Sequence, residues 1–118
     1  MTSNIEIRRG DIYYAELPDD AGNSVQKGIR PVLVVQNNAG NKHSPTIIIT
    51  PLTSRGKKNM PTHVEIAKEG GLKMFSTVLC EQIQTIGKDK LLSYVGRLSA
   101  ATMNRVNYAL ISSVVRTR

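Results

Sequence analysis

Val32-Leu33-Val34-Val35, opened by Pro31 and closed by Gln36, is a run of four apolar residues without a polar interruption. A strand built this way has no face to offer to water, so it predicts a central strand covered on both sides, with Pro31 tolerated because it stands at the start. The rest of the chain must then supply two layers of cover, which removes most alternatives for a short polypeptide.

That cover is written as further short strands. Asp11-Ile12-Tyr13-Tyr14-Ala15-Glu16-Leu17 is rich in aromatic and branched residues and roughly alternates apolar with polar, as a half-buried strand does. Residues 18–28 follow with Pro18, Asp19, Asp20, Gly22, Asn23 and Ser24, and this density of turn-forming types predicts a loop of about ten residues. Asn37 to Pro45 reads as a second loop, and Thr46-Ile47-Ile48-Ile49-Thr50 as a strand that Pro51 ends or bends. Arg55-Gly56-Lys57-Lys58-Asn59 is a basic loop, and Thr62-His63-Val64-Glu65-Ile66 alternates like a partly exposed strand. Beyond the break at Lys68-Glu69-Gly70-Gly71, the stretch from Ser76 to Ile86 suits one bent strand or two short ones, with Glu81-Gln82 marking the bend.

Lys88-Asp89-Lys90 reads as a turn or a single helical turn, and Leu92 to Leu98 as the last strand. Ser99 is placed to cap a closing helix in which Met103, Val106, Leu110, Ile111 and Val114 recur at helical spacing and pack on the sheet. Strands in succession with no helices between them predict a mainly β fold, a small antiparallel barrel or strongly curled sheet with a C-terminal helix. A chain of 118 residues needs only one core, so residues 1–118 read as a single domain.

The net charge of +7 favours a polyanionic partner, nucleic acid first, because each Lys or Arg near a phosphate releases condensed counterions; a solvated basic surface is the competing reading. Cys80 is the only cysteine, which excludes an intramolecular disulfide and a cysteine-rich metal site and suits a reducing cytoplasm. No stretch reaches the roughly 18 apolar residues a membrane span requires. His43 and His63 stand in separate segments, and the only adjacent acidic pair, Asp19-Asp20, lies in a turn, so neither metal nor cofactor is expected.

RNA cleavage fits such a chain chemically, because the ribose 2′-hydroxyl is itself the nucleophile. The protein must supply a cation for the phosphorane-like transition state, hydrogen-bond donors for its oxygens, and a route for protons. Arg30, at the mouth of the buried run, offers a planar fork of donors suited to non-bridging oxygens, and Thr53 and Ser54 offer hydroxyls just past the third strand. Taken alone, that arginine serves equally as a surface charge, and the Thr-Ser pair equally as a turn cap. Arginine at its ordinary pKa is also a poor base.

Five segments in register add to this reading: Arg9-Gly10-Asp11-Ile12-Tyr13; Gly28-Ile29-Arg30-Pro31-Val32 continuing to Asn37; Pro51-Leu52-Thr53-Ser54; Pro61-Thr62-His63-Val64; and Glu81-Gln82-Ile83-Gln84-Thr85-Ile86. In order and spacing the chain resembles the MazF/PemK family of toxin endoribonucleases, most closely its Gram-positive branch. The resemblance implies an SH3-like small barrel of the MazF/PemK/CcdB type and a cytoplasmic homodimer. It also implies sequence-specific, metal-independent cutting of single-stranded RNA to 2′,3′-cyclic phosphate and 5′-hydroxyl ends, and a MazE-type antitoxin as partner. A U- and A-containing pentanucleotide such as UACAU is the cut site it suggests. By the same resemblance Arg30 acts in proton transfer and transition-state stabilisation, and Thr53 assists at the phosphate. Gln82 falls in the segment that contributes base contacts, while Ser24, Gln26, Lys27, Ser54 and Ser76 join the RNA groove. Many relatives carry an acidic residue and paired glycines before this arginine, where this chain has Val25-Gln26-Lys27-Gly28, so Lys27 becomes either a phosphate contact or a solvated lysine. A fold-related toxin that inhibits DNA gyrase without nuclease activity is the alternative.

Overall fold

The computed structural model describes residues 6–18, 26–54 and 60–115. Its strands are β1 (Asp11–Leu17), β2 (Gly28–Val34), β3 (Thr46–Thr53), β4 (His63–Ile66), β5 (Ser76–Leu79), β6 (Gln84–Gly87) and β7 (Leu91–Arg97), with helices α1 (Asn38–His43) and α2 (Ala100–Val114). All strand pairs are antiparallel, in the order β4-β5-β3-β2-β1-β7, and β6 also pairs with β3. The ladder stays open between β4 and β7, and α2 covers the core that a closed barrel would enclose. The predicted barrel-like β fold with its terminal helix is therefore present in an unclosed form.

Burial on both faces explains the apolar run. Ile12, Leu33 and Leu52 point into a core completed by Val64, Ile66, Val78 and the α2 residues Met103, Val106 and Ala109. Their neighbours Tyr13, Ala15, Val32, Val34, Ile47 and Ile49 point the other way, into a second core. Val32, Leu33 and Val34 are all fully buried, as a two-sided central strand requires.

β3 does more than its sequence suggested. It runs through Pro51 to Thr53, and its edge away from β2 is shared: Thr46 to Ile49 pair with β6, and Leu52 and Thr53 with β5. The Ile48 carbonyl accepts from the Val35 N–H at 3.0 Å on the β2 side. By alternation the Pro51 nitrogen faces the other edge, in the gap between the β6 and β5 pairings, where a missing N–H removes no ladder bond.

Two further expectations are corrected. Residues 37–45 hold the short helix α1 rather than only loop, because the Asn37 side chain accepts from the Gly40 N–H at 2.9 Å and caps it. The apolar stripe of α2 is buried at Met103, Val106 and Ala109, but Ile111 and Val114 stay exposed, because the core contacts of the helix end with Leu110 and its last turn projects past them.

The start of α2 is fixed from two directions. Ser99 Oγ accepts from the Thr102 N–H at 3.2 Å, while Glu69 accepts from the Ser99 N–H at 3.0 Å and the Thr102 hydroxyl at 2.8 Å. Glu69 thus performs across the chain the reach-back of a capping box. The Ser99 backbone bond is the largest cause holding its carboxyl below the usual carboxylate range. A lowered folded-state pKa stabilises the fold above the ordinary carboxylate range and ceases to do so as pH falls through the folded value. Thermal melts of wild type and Glu69→Gln should therefore differ at neutral pH, with the variant less stable, and converge on acidification. Burial, assisted by Glu81, pushes the Cys80 thiol up to about 12. Iodoacetamide at about pH 8 should leave Cys80 unmodified in the native protein and label it in denaturant; rapid native labelling would contradict this burial.

Candidate active site

Arg30 lies near the start of β2, paired with Ala15 of β1, and Gly28 opens that strand with φ +79, a conformation suited to glycine. The Arg30 Nε donates to the Lys27 carbonyl at 3.0 Å. This bond commits Nε to the preceding loop and leaves Nη1 and Nη2 as the guanidinium's remaining donors. Thr53 ends β3 almost fully buried, and Ser54 follows it exposed.

Arg30, Thr53, Ser54 and Ser76 all line one groove of about 540 Å³. Residues separated by more than twenty positions thus converge, because β2, β3 and β5 lie side by side in the sheet. Ser76 is buried and donates its hydroxyl to the Met74 carbonyl at 3.1 Å, so it shapes the wall while leaving lone pairs to accept.

The opposite wall comes from an approach that only glycine permits. At Gly71 (φ +81) an added Cβ would stand 2.1 Å from the Val95 carbonyl oxygen, and at Gly96 one would stand 2.2 Å from the Gly70 oxygen. This contact brings the segment from Gly71 to Met74 against β7, so that Lys73 and Met74 line the groove together with Ser93 and Val95.

Among the lining residues that escaped the sequence pattern are Tyr14, Lys73 and Met74. Tyr14 carried a usable signal, since strand alternation sends it to the face opposite its buried neighbour Tyr13. The Lys73-Met74 pair carried none, because its position depends on the close packing of Gly71 on β7. Among the described residues, the charged ones lining the groove are Arg30 and Lys73, and no carboxylate or histidine lines it.

The remaining candidates lie elsewhere. Lys27 lines a neighbouring cleft of about 520 Å³ with Gly28, Thr85 and Lys90. Gln82 does not line the groove; its Oε1 accepts from the Gln26 N–H at 2.9 Å. Ser24 lies outside the described residues. Among the described residues no group of three or more His, Cys, Asp or Glu is arranged to hold a metal ion.

Comparison with known proteins bears directly on this arrangement. The family described as PemK-like, MazF-like toxin of type II toxin-antitoxin system matches residues 8–114. The chain belongs to that family. Within it, the Endoribonuclease EndoA of Bacillus subtilis is 45% identical over 106 residues, 88% of this chain and 90% of that protein. The Endoribonuclease MazF of Staphylococcus saprophyticus is 46% identical over 106 residues, 88% of each chain. A mycobacterial endoribonuclease solved in complex with its cognate antitoxin superposes with a TM-score of 0.78 at 31% identity, covering 95% of this chain and 99% of that one. For this PemK-like, MazF-like chain, the match takes in the described groove residues from Tyr14 to Val95.

Proposed function

We propose that the groove holding Arg30 and Thr53 cleaves single-stranded RNA at specific sequences, making this chain a metal-independent endoribonuclease and the toxin of a type II toxin–antitoxin pair. The observation that carries the reading is the convergence of Arg30, Thr53 and Ser54 on a groove whose charged lining, among the described residues, is cationic. It is supported by the close relatives, both named endoribonucleases. The gyrase-inhibitor alternative gains no such support.

In this mechanism the ribose 2′-oxygen attacks the adjacent phosphorus as its proton passes to solvent water, and the departing 5′-oxygen takes up a proton from water, leaving a 2′,3′-cyclic phosphate and a 5′-hydroxyl. The Arg30 Nη donors bind the non-bridging oxygens, where negative charge grows toward the transition state. The Thr53 hydroxyl donates to the same phosphate, held in place by its nearly complete burial. Ser54 and Lys73 extend the donor set along the RNA backbone. Tyr14 and Met74 give bases an apolar wall, a sequence-tolerant way of holding an unpaired strand. Lys27, one groove over, provides a further phosphate contact.

The whole chain acts as one domain and as a homodimer in the cytoplasm, as the family resemblance implies. Among the described residues no helix is long and apolar enough to cross a membrane. The solved toxin–antitoxin complex supports a MazE-type antitoxin as partner, and a net charge of +7 suits an acidic antitoxin segment that competes with RNA for the groove.

The purified protein should cut single-stranded RNA in excess EDTA; activity that returns only with added magnesium would remove the metal-independent mechanism. Arg30→Ala should lower turnover by about a hundredfold or more, the usual cost of losing a transition-state donor. Its thermal melt and its mass by light scattering should match wild type, and undiminished turnover would take Arg30 out of the mechanism.

A further inference from the structure

We infer that Tyr94 is a stacking platform for an unpaired base flanking the cut, pre-set by its ring contact with the buried Tyr13. The inference rests on the proposed cleavage of single-stranded RNA in this groove and deepens it.

The chain is poor in aromatic residues, with four tyrosines, one phenylalanine and no tryptophan, yet Tyr14 and Tyr94 both line the groove. Tyr94 is 52% exposed there, which leaves half of its surface for a ligand. β7 carries it in an irregular stretch. The ladder with β1 slips on both sides of the Tyr13–Tyr94 pair: Ile12 meets Gly96 before it, and Ala15 meets Leu91 after it. Strict alternation would send Ser93 and Val95 to the face opposite Tyr94, but all three line the same groove. Irregularities of this kind re-aim side chains and are common beside active sites.

The ring is held despite its exposure. Its centroid lies 5.4 Å from that of Tyr13 at an interplanar angle of 70°, the edge-to-face arrangement that aromatic pairs favour. Tyr13 is itself buried in the second core with Val32, Val34 and Ile47, so the contact fixes Tyr94 from the protein side. A ring set before RNA arrives loses little side-chain freedom on binding.

Position then selects the ligand. The sheet runs in the order β2, β1, β7, so Tyr94 stands two inter-strand spacings, about 10 Å, across from the strand that carries Arg30. A base resting on Tyr94 therefore belongs to a nucleotide flanking the scissile phosphate rather than to the attacking ribose. Lys73 lines the same groove and offers a cation to the phosphate beside that base. An unpaired strand presents π-faces that a duplex keeps stacked on one another, so an aromatic platform also favours single strands. Stacking at this distance acts on the bound strand and not on the reacting phosphate, so it strengthens ground state and transition state alike.

The test uses the full chain and a synthetic single-stranded RNA spanning a mapped cut, with a 2′-deoxy sugar at the attacking position so that it binds without being cut. Tyr94→Ala should raise Kd for this RNA about fivefold to a hundredfold, the cost of losing one base–aromatic stack. Tyr94→Phe, which keeps the ring, should recover most of that loss, whereas Tyr94→Leu, which keeps apolar bulk without a π-face, should not. Turnover of the cleavable RNA at saturation should fall by less than about twofold in Tyr94→Ala, as for lost uniform binding. An abasic nucleotide at one flanking position should weaken wild type by a similar factor and add nothing to Tyr94→Ala, while the same change elsewhere adds in full. Equal Kd for Tyr94→Ala and wild type, additive losses at every abasic position, or a loss confined to saturating turnover would each overturn the inference. So would a lower mass of Tyr94→Ala by light scattering, which would make Tyr94 a contact between copies of the chain. If Tyr94→Ala melts before it can be assayed, the difference in Kd between Tyr94→Phe and Tyr94→Leu decides. Failure of the underlying reading shows separately, as a wild-type chain that neither binds nor cuts single-stranded RNA.

Discussion

The fold depends on β3 being a strand with partners along its whole length and cover on both faces. Its N-terminal half pairs with β6 and its C-terminal half with β5, while β2 runs along the other edge. Division of one edge between two strands forces the chain to turn a corner at Cys80–Ile83, and that corner is where Glu81 and Gln82 sit. The same strand ends in Thr53, so the element that organises both cores also delivers a hydroxyl to the groove.

Rigid and irregular parts of the molecule divide the chemistry between them. Thr53 and Ser76 come from strands and are buried, so their positions follow from the ladder. Arg30 lies near the start of β2 in the same sheet, but its guanidinium is oriented by the Lys27 carbonyl, a group in irregular backbone. One residue earlier, the Gln26 N–H donates to Gln82 Oε1, which ties this irregular backbone to the turn after β5.

Much of the architecture was legible because it follows from local periodicity. β1, the strand from His63, the split at Glu81-Gln82 and the Ser99 cap lie where alternation and turn chemistry predict them. The misses have physical causes that no local pattern contains. Pro51 stays within β3 because its nitrogen faces a gap left by two other strands, and α1 forms because a single asparagine caps it. Ile111 and Val114 continue the helical stripe in sequence but lie past the surface the stripe packs on. At the site, Arg30, Thr53, Ser54 and Ser76 line one groove, whereas Gln82 Oε1 accepts from the Gln26 N–H.

Returning to the apolar run that opens at Pro31, the sequence alone determined that this strand is central and covered on both faces, since four successive apolar residues leave no side for water. It also placed Arg30 directly before that run, although the strand itself begins earlier, at Gly28, and takes Arg30 and Pro31 inside it because both pair with β1. Only the tertiary structure decided what meets the arginine there. Thr53 and Ser76 join it in one groove through neighbouring strands, and Lys73 through a backbone contact that two glycines allow. Local periodicity reports which face of a strand is buried, but the partner across a ladder or a loop is set by long-range register, which is a property of the assembled sheet.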